Sequence, residues 1–172
     1  MNKSLTFLLA LTFLFLFSGS VYSEESDVKK KYWKNGKLKS EIHYKSRKRE
    51  GLSARWHKNG TKQFETHYNN GKKEGLETWW YPSGRKKRAI HYKNGKREGL
   101  VTHWYESGEK ESETHYKNGE KEGLSIWWYE SGKKKSTSHY KNGIENGFRK
   151  EWNEDGKLTF QGNFVDGIEE IK

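Results

Sequence analysis

"HYKNGKREGL", residues His91 to Leu100, is a string whose composition alone would suit a solvated tail. Its recurrence decides otherwise. The same text reads "HYNNGKKEGL" from His67, "HYKNGEKEGL" from His115 and "HYKNGIENGF" from His139, with a worn copy, "HYKSRKREGL", from His43. The spacing is 24 residues each time. Self-similarity at a fixed period points to units that bury their apolar surface against their neighbours.

The junctions define six units, 28–51, 52–75, 76–99, 100–123, 124–147 and 148–171, preceded by a short linker at 24–27. The end units are degenerate: Arg47 replaces a turn glycine, and Ile171 stands where glycine is expected. Atypical ends are what capping repeats look like. Within the third unit, "LETWWY" and "KKRAIHY" are separated by "PSG" and followed by "KNGKREG". Short runs rich in Trp, Tyr, Thr and Ile, fenced by Gly, Asn and Pro, read as β-strands. The expected fold is all-β: an elongated, curved, single-layer antiparallel meander of about twelve strands.

Turn chemistry sets an expected register. The only proline, Pro82, opens "PSG", a type I turn with Gly84 left-handed, which makes a three-residue hairpin loop. Carried through that loop, Leu76, Thr78 and Trp80 share a face with Ile90 and Tyr92, and the opposite face holds Trp79, Tyr81 and His91. Asn94-Gly95 supplies positive φ for the other turn. Gly99 is expected to let an aromatic ring lie against bare backbone. The rim then carries the charges.

Composition narrows the partners. The chain has 172 residues, 33% charged and 30% hydrophobic, with eight Trp and no Cys. Disulfides therefore cannot staple it, and the formal charge of +11 brings anionic partners to mind first. At the N-terminus, Lys3 precedes an apolar run from Leu5 to Phe17, followed by Ser18, Gly19 and Ser20 and by the small residues Val21 and Ser23 around the cut. This is the pattern of a secretory signal peptide spanning 1–23, cleaved near Ser23. The run of 13 residues is shorter than the ~20 needed to span a bilayer. The expected location is exported, either periplasmic or secreted, with no transmembrane segment after cleavage.

Repeats of the form "YKNGKREG…WYESGEK" resemble the MORN-variant repeat family, bacterial relatives of the membrane-occupation-and-recognition-nexus repeats. The resemblance covers residues 28 to 171. It implies an elongated curved sheet that serves as a scaffold; some bacterial members are classed among the antitoxins of toxin–antitoxin pairs. Where the eukaryotic motif has Gly-x-Gly after the second turn, this chain has Glu-Gly-Leu, so the resemblance carries over fold and not lipid binding.

No chemistry-bearing constellation emerges beside the repeats. His43, His67, His91, His115 and His139 recur two strands apart, ~10 Å from one another, too far to share a zinc ion. Glu50, Glu74, Glu98 and Glu122 recur at the rim, where solvated pairing with Lys or Arg is the plain reading. A catalytic site needs several different groups converging and should break the repeat, and none does so. The expectation is a non-enzymatic protein without catalytic residues, cofactor or metal. It binds a protein partner or a second copy of itself, and nucleic acid is disfavoured by the export signal. The candidate partner-binding residues are Trp79, Tyr81, His91, Tyr105, His115, Trp127 and Tyr129. The alternative is a charge-driven binder of anionic envelope polymers or lipid head groups, contacting them through Lys93, Lys96, Arg97 and Lys117.

Overall fold

The structure is a computed structural model and describes residues 26–171. The expected signal peptide lies outside these residues. The strands are β1 (Ser26–Tyr32), β2 (Leu38–Lys45), β3 (Lys48–Trp56), β4 (Lys62–Asn69), β5 (Lys72–Trp80), β6 (Lys86–Lys93) and β7 (Lys96–Trp104). They continue as β8 (Lys110–Lys117), β9 (Glu120–Trp128), β10 (Lys134–Lys141), β11 (Ile144–Glu145), β12 (Gly147–Trp152), β13 (Leu158–Val165) and β14 (Ile168–Glu169). All 14 join one sheet in chain order, except that β11 and β12 are two pieces of the same strand beside β10. The result is a curved, single-layer antiparallel meander. β1 begins at Ser26, so the segment expected as linker at 24–27 is partly strand.

Two hairpin types alternate. Lys93 pairs with Lys96 across Asn94 (φ 52°) and Gly95 (φ 82°), a type I′ turn whose twist matches the strands it joins. The first copy makes the same turn with Ser46 and Arg47, both at positive φ. At the opposite rim, the Gly84 amide donates to the Tyr81 carbonyl at 2.9 Å and the Tyr81 amide to the Arg85 carbonyl at 2.9 Å. This closes the three-residue loop read from "PSG".

The expected facing of the strands is overturned just beyond that loop. Trp80 pairs with Lys86, but Trp79 pairs with Arg88, so Lys87 is an extra residue that inverts the alternation. Glu77 therefore faces Ile90, and Leu76 faces His91. The same one-residue shift recurs in the hairpins that follow β1, β3, β7, β9 and β12. One face consequently carries Tyr44, Tyr68, Tyr92, Tyr116 and Tyr140, and is called the tyrosine face. The other carries His43, His67, His91, His115 and His139, the histidine face.

Little of this sheet is apolar interior. Its buried hydrophobic residues are Ala54, Phe64, Ile90 and Val101. The central column of the tyrosine face is otherwise built from buried Ser53, Thr66, Thr114 and Ser125. Small side chains leave room for long neighbours to fold over them, which a single layer needs because no second sheet covers it. Adjacent units are also stitched at both rims. Tyr81, Tyr105 and Tyr129 each donate a hydroxyl hydrogen bond of 2.8 Å to the carbonyl of Trp104, Trp128 and Trp152 in the following unit. At the type I′ rim, the carboxylates of Glu74, Glu98 and Glu122 accept from the amides of Asn94, Asn118 and Asn142 at 2.8, 2.9 and 2.9 Å. These glutamates cap the next turn, where solvated pairing with Lys or Arg was expected. Gly99 differs from expectation too: a Cβ there would meet nothing within 4 Å, and its φ of +78° is the reason for glycine.

Candidate functional site

On the tyrosine face, cations and tyrosines alternate across the strands. Tyr44 pairs with Arg49, Tyr68 with Lys73, Tyr92 with Arg97 and Tyr116 with Lys121. Each cation also lies over the ring in the next unit: Arg49 is 5.1 Å from the Tyr68 centroid, Lys73 4.6 Å from Tyr92, Arg97 5.2 Å from Tyr116 and Lys121 4.4 Å from Tyr140. Such contacts stabilise by about 0.5–1 kcal/mol when partly exposed. Arg97, expected as an anion contact on the rim, is half-buried here and donates to the Tyr116 hydroxyl at 3.3 Å.

The third unit breaks the repeat. Its Glu77 carboxylate, 1% exposed, accepts from Trp79 Nε1 at 2.8 Å, pairs with Lys73 and lies 3.6 Å from Arg88. Phe64 packs on Trp79 with ring centroids 4.7 Å apart. A carboxylate so closed off from solvent anchors the sheet and offers no surface to a ligand. Beside it, His103 opposes Arg88 and sits 3.1 Å from the Ser112 hydroxyl. Burial, reinforced by Arg88, Arg97 and Lys87, holds its pKa below the usual imidazole value.

The histidine face is more open. Val28 opposes His43, Leu52 opposes His67, Leu76 opposes His91, Leu100 opposes His115 and Leu124 opposes His139. Aliphatic residues and imidazoles thus form one stripe across the strands. Leu76 is 46% exposed and Phe148, next in the series, 58%. From the end of the second unit to the start of the fifth, a shallow open groove of about 750 Å³ runs along the stripe on its type I′ side. His91, His115 and Leu124 line it, with Gly75, Gly99 and Gly123 as stretches of bare backbone and Glu74, Glu98 and Glu122 along the type I′ rim.

The expected partner-binding residues therefore do not share a face. His91 and His115 line the groove together with Lys93 and Lys117. Trp79 and Trp127 lie on the tyrosine face, where Trp127 is 41% exposed. Tyr81, Tyr105 and Tyr129 spend their hydroxyls on the stitches between units. Lys96 is exposed at its turn. Sequence reasoning overlooked Leu76, Leu100 and Leu124 as surface residues, although their spacing marked them. Among the described residues, no three of His, Asp and Glu group as metal ligands would. No helix among them is long and apolar enough to cross a membrane.

Fold and faces together define a repeat-built binding module. The family model described as MORN repeat variant matches residues 28–46, 49–70, 73–94, 97–118, 121–142 and 145–166, and the chain belongs to that family. No curated protein matches it.

Proposed function

We propose that the protein is an exported, non-enzymatic module that docks a protein partner along the histidine face, on the aliphatic stripe and the groove beside it from the second to the fifth unit. One observation carries this reading: aliphatic and aromatic residues that a globular protein would bury stand in a row on an open face, Leu76 at 46% and Phe148 at 58% exposure with half-buried Leu100 and Leu124 between them. Contiguous apolar surface of this kind marks interaction sites. The histidines between the leucines add hydrogen-bonding groups, and the glycines bring bare backbone to the groove floor. A neutraliser of the antitoxin type is one form of such a module. Export rests on the pattern of residues 1–23, and an intact mass lacking them checks it.

The competing reading, charge-driven binding of anionic polymers or lipid head groups, draws on exposed Lys93, Lys96 and Lys117. The carboxylates of Glu74, Glu98 and Glu122 line the same groove and offset that charge. Affinity capture at low and high salt separates the two. Charge-driven binding weakens steeply with salt, because exposed charges are screened within ~10 Å at 0.1 M, whereas apolar burial does not. Binding that survives high salt and is lost in a Leu76→Ser/Leu124→Ser variant is the expected result. Binding lost instead with Lys93→Gln/Lys96→Gln/Lys117→Gln would favour the competitor.

A further inference from the structure

The two ends of the sheet complement each other. β13 pairs along its length with β12, but on its other side it meets only the stub β14, at Phe164–Glu169 and Val165–Ile168, and Glu170, whose amide donates to the Asn163 carbonyl at 2.8 Å and whose carboxylate accepts from Asn163 Nδ2 at 2.7 Å. Among the described residues, no strand pairs with the outer edge of β13 from Leu158 to Gly162. A groove of about 400 Å³ lies there, between Phe148, Gln161, Gly162 and the segment Glu169–Ile171. At the far end, β1 pairs only with β2 among the described residues, and all seven of its residues are exposed.

Repeat arithmetic shows what fits beside that edge. Moving the β8–β9 pairing forward by two units turns Tyr116–Lys121 into Phe164–Glu169, which is the pairing observed. The next pairs in that series, Thr114–Ser125 and Ser112–Trp127, call for partners opposite Gly162 and Phe160. Counted six units back, the residues that would supply them are Lys29 and Lys31 of β1. The faces agree as well. Lys29 opposes Ile42 and Lys31 opposes Ser40, while Gly162 opposes Arg149, so all lie on the tyrosine face.

We propose that the protein assembles head to tail, with residues 29–32 of β1 in one copy pairing antiparallel with the open edge of β13 at 158–162 in a second copy, the residues before them lifting away from 168–171, which already hold the adjoining positions. Charge supports this pairing over the others. β1 carries Lys29, Lys30 and Lys31 against one acid, Asp27, with Lys29 3.8 Å from Asp27 and Lys30 3.2 Å from Glu41, whereas the other end carries Asp166, Glu169 and Glu170. The Glu169 carboxylate already lies over Gly162, so close that a Cβ there would be 2.6 Å from its Oε1. Lys29 of the incoming strand would meet it. Lysines on an edge strand ordinarily prevent strand addition. Here they oppose joining β1 to β1, and the acidic residues oppose joining β13 to β13, which leaves the unlike ends. A head-to-tail contact of this kind does not close on a dimer; it builds an open chain.

Sedimentation velocity and mass photometry of the purified protein, at physiological ionic strength over micromolar concentrations, test this. Species at successive multiples of the protomer, growing with concentration, are expected. A Lys29→Glu/Lys30→Glu/Lys31→Glu variant should associate about tenfold or more weakly, since like charges then meet at the junction. Glu169→Lys/Glu170→Lys should do the same, and one chain carrying both sets should recover assembly. As a check independent of charge, a chain with Lys31→Cys and Phe160→Cys should form disulfide-linked multimers on oxidation. A monomer at every concentration, a closed dimer, or association that ignores both charge variants would overturn the proposal. Association lost only in Leu76→Ser/Leu124→Ser would also overturn it, and would assign self-association to the histidine face. The edges are separate from that face, so head-to-tail assembly and partner docking stand or fall independently.

Discussion

Glu77 occupies a position filled by Ser53, Val101, Ser125 and Arg149 in the neighbouring units, and it is the only buried carboxylate in that column. Lys73, Arg88 and Trp79 compensate it. Glu77→Ala removes the common partner of two cations, and chemical denaturation should report a loss of about 3 kcal/mol. A loss as small as that of an exposed ion pair, under about 1 kcal/mol, would mean that the cluster is wet and weakly held. His103 makes the fold sensitive to acid. Its pKa is depressed in the folded chain, mainly by burial, so the unfolded chain takes up the proton first. Its contribution is complete above the unfolded value of about 6.5 and is lost as pH falls below it towards the folded value. Wild type should therefore lose more stability than His103→Gln on acidification through that range. Equal losses would show that His103 has no part in the acid response.

At the scale of the hairpin, the two turns were legible because each needs a particular backbone: Asn94-Gly95 needs positive φ twice, and Gly84 needs it once. The extra residue at Lys87 was not legible. A β-bulge of this kind places its residue in ordinary helical backbone, which any side chain adopts, so no glycine or proline announces it. That one residue separated Trp79 from His91 and divided the expected binding residues between two faces. The stitches between units were hidden for a different reason. A tyrosine in a strand reads as sheet-forming, and nothing local shows that its hydroxyl reaches a carbonyl 23 residues away. Tyr105→Phe removes one such bond while keeping the ring. The cost should be about 1 kcal/mol, with hydrogen exchange quickened mainly in β7, β8 and β9, because repeat units depend on their immediate neighbours. Uniform quickening across the sheet would contradict that local coupling.

At the scale of the sheet, the absence of a second layer among the described residues decides what each face can do. The tyrosine face is covered by its own ladder of cations over rings, from Arg49 to Tyr140. On the histidine face the cation–ring contacts, Lys62 over Trp80 and Lys110 over Trp128, lie towards the opposite rim, and the leucine stripe remains available. Both assignments rest on the register across β5 and β6. The chain has no cysteine, so engineered pairs report without background. Cysteines bridge only when their Cα atoms lie within about 7 Å and their Cβ atoms point the same way. A chain with Leu76→Cys and His91→Cys should form an intramolecular disulfide readily under mild oxidation, and one with Leu76→Cys and Ile90→Cys should not. The reverse outcome would return Leu76 to the face of Ile90 and Tyr92, and the separation of a tyrosine face from a histidine face would fail with it.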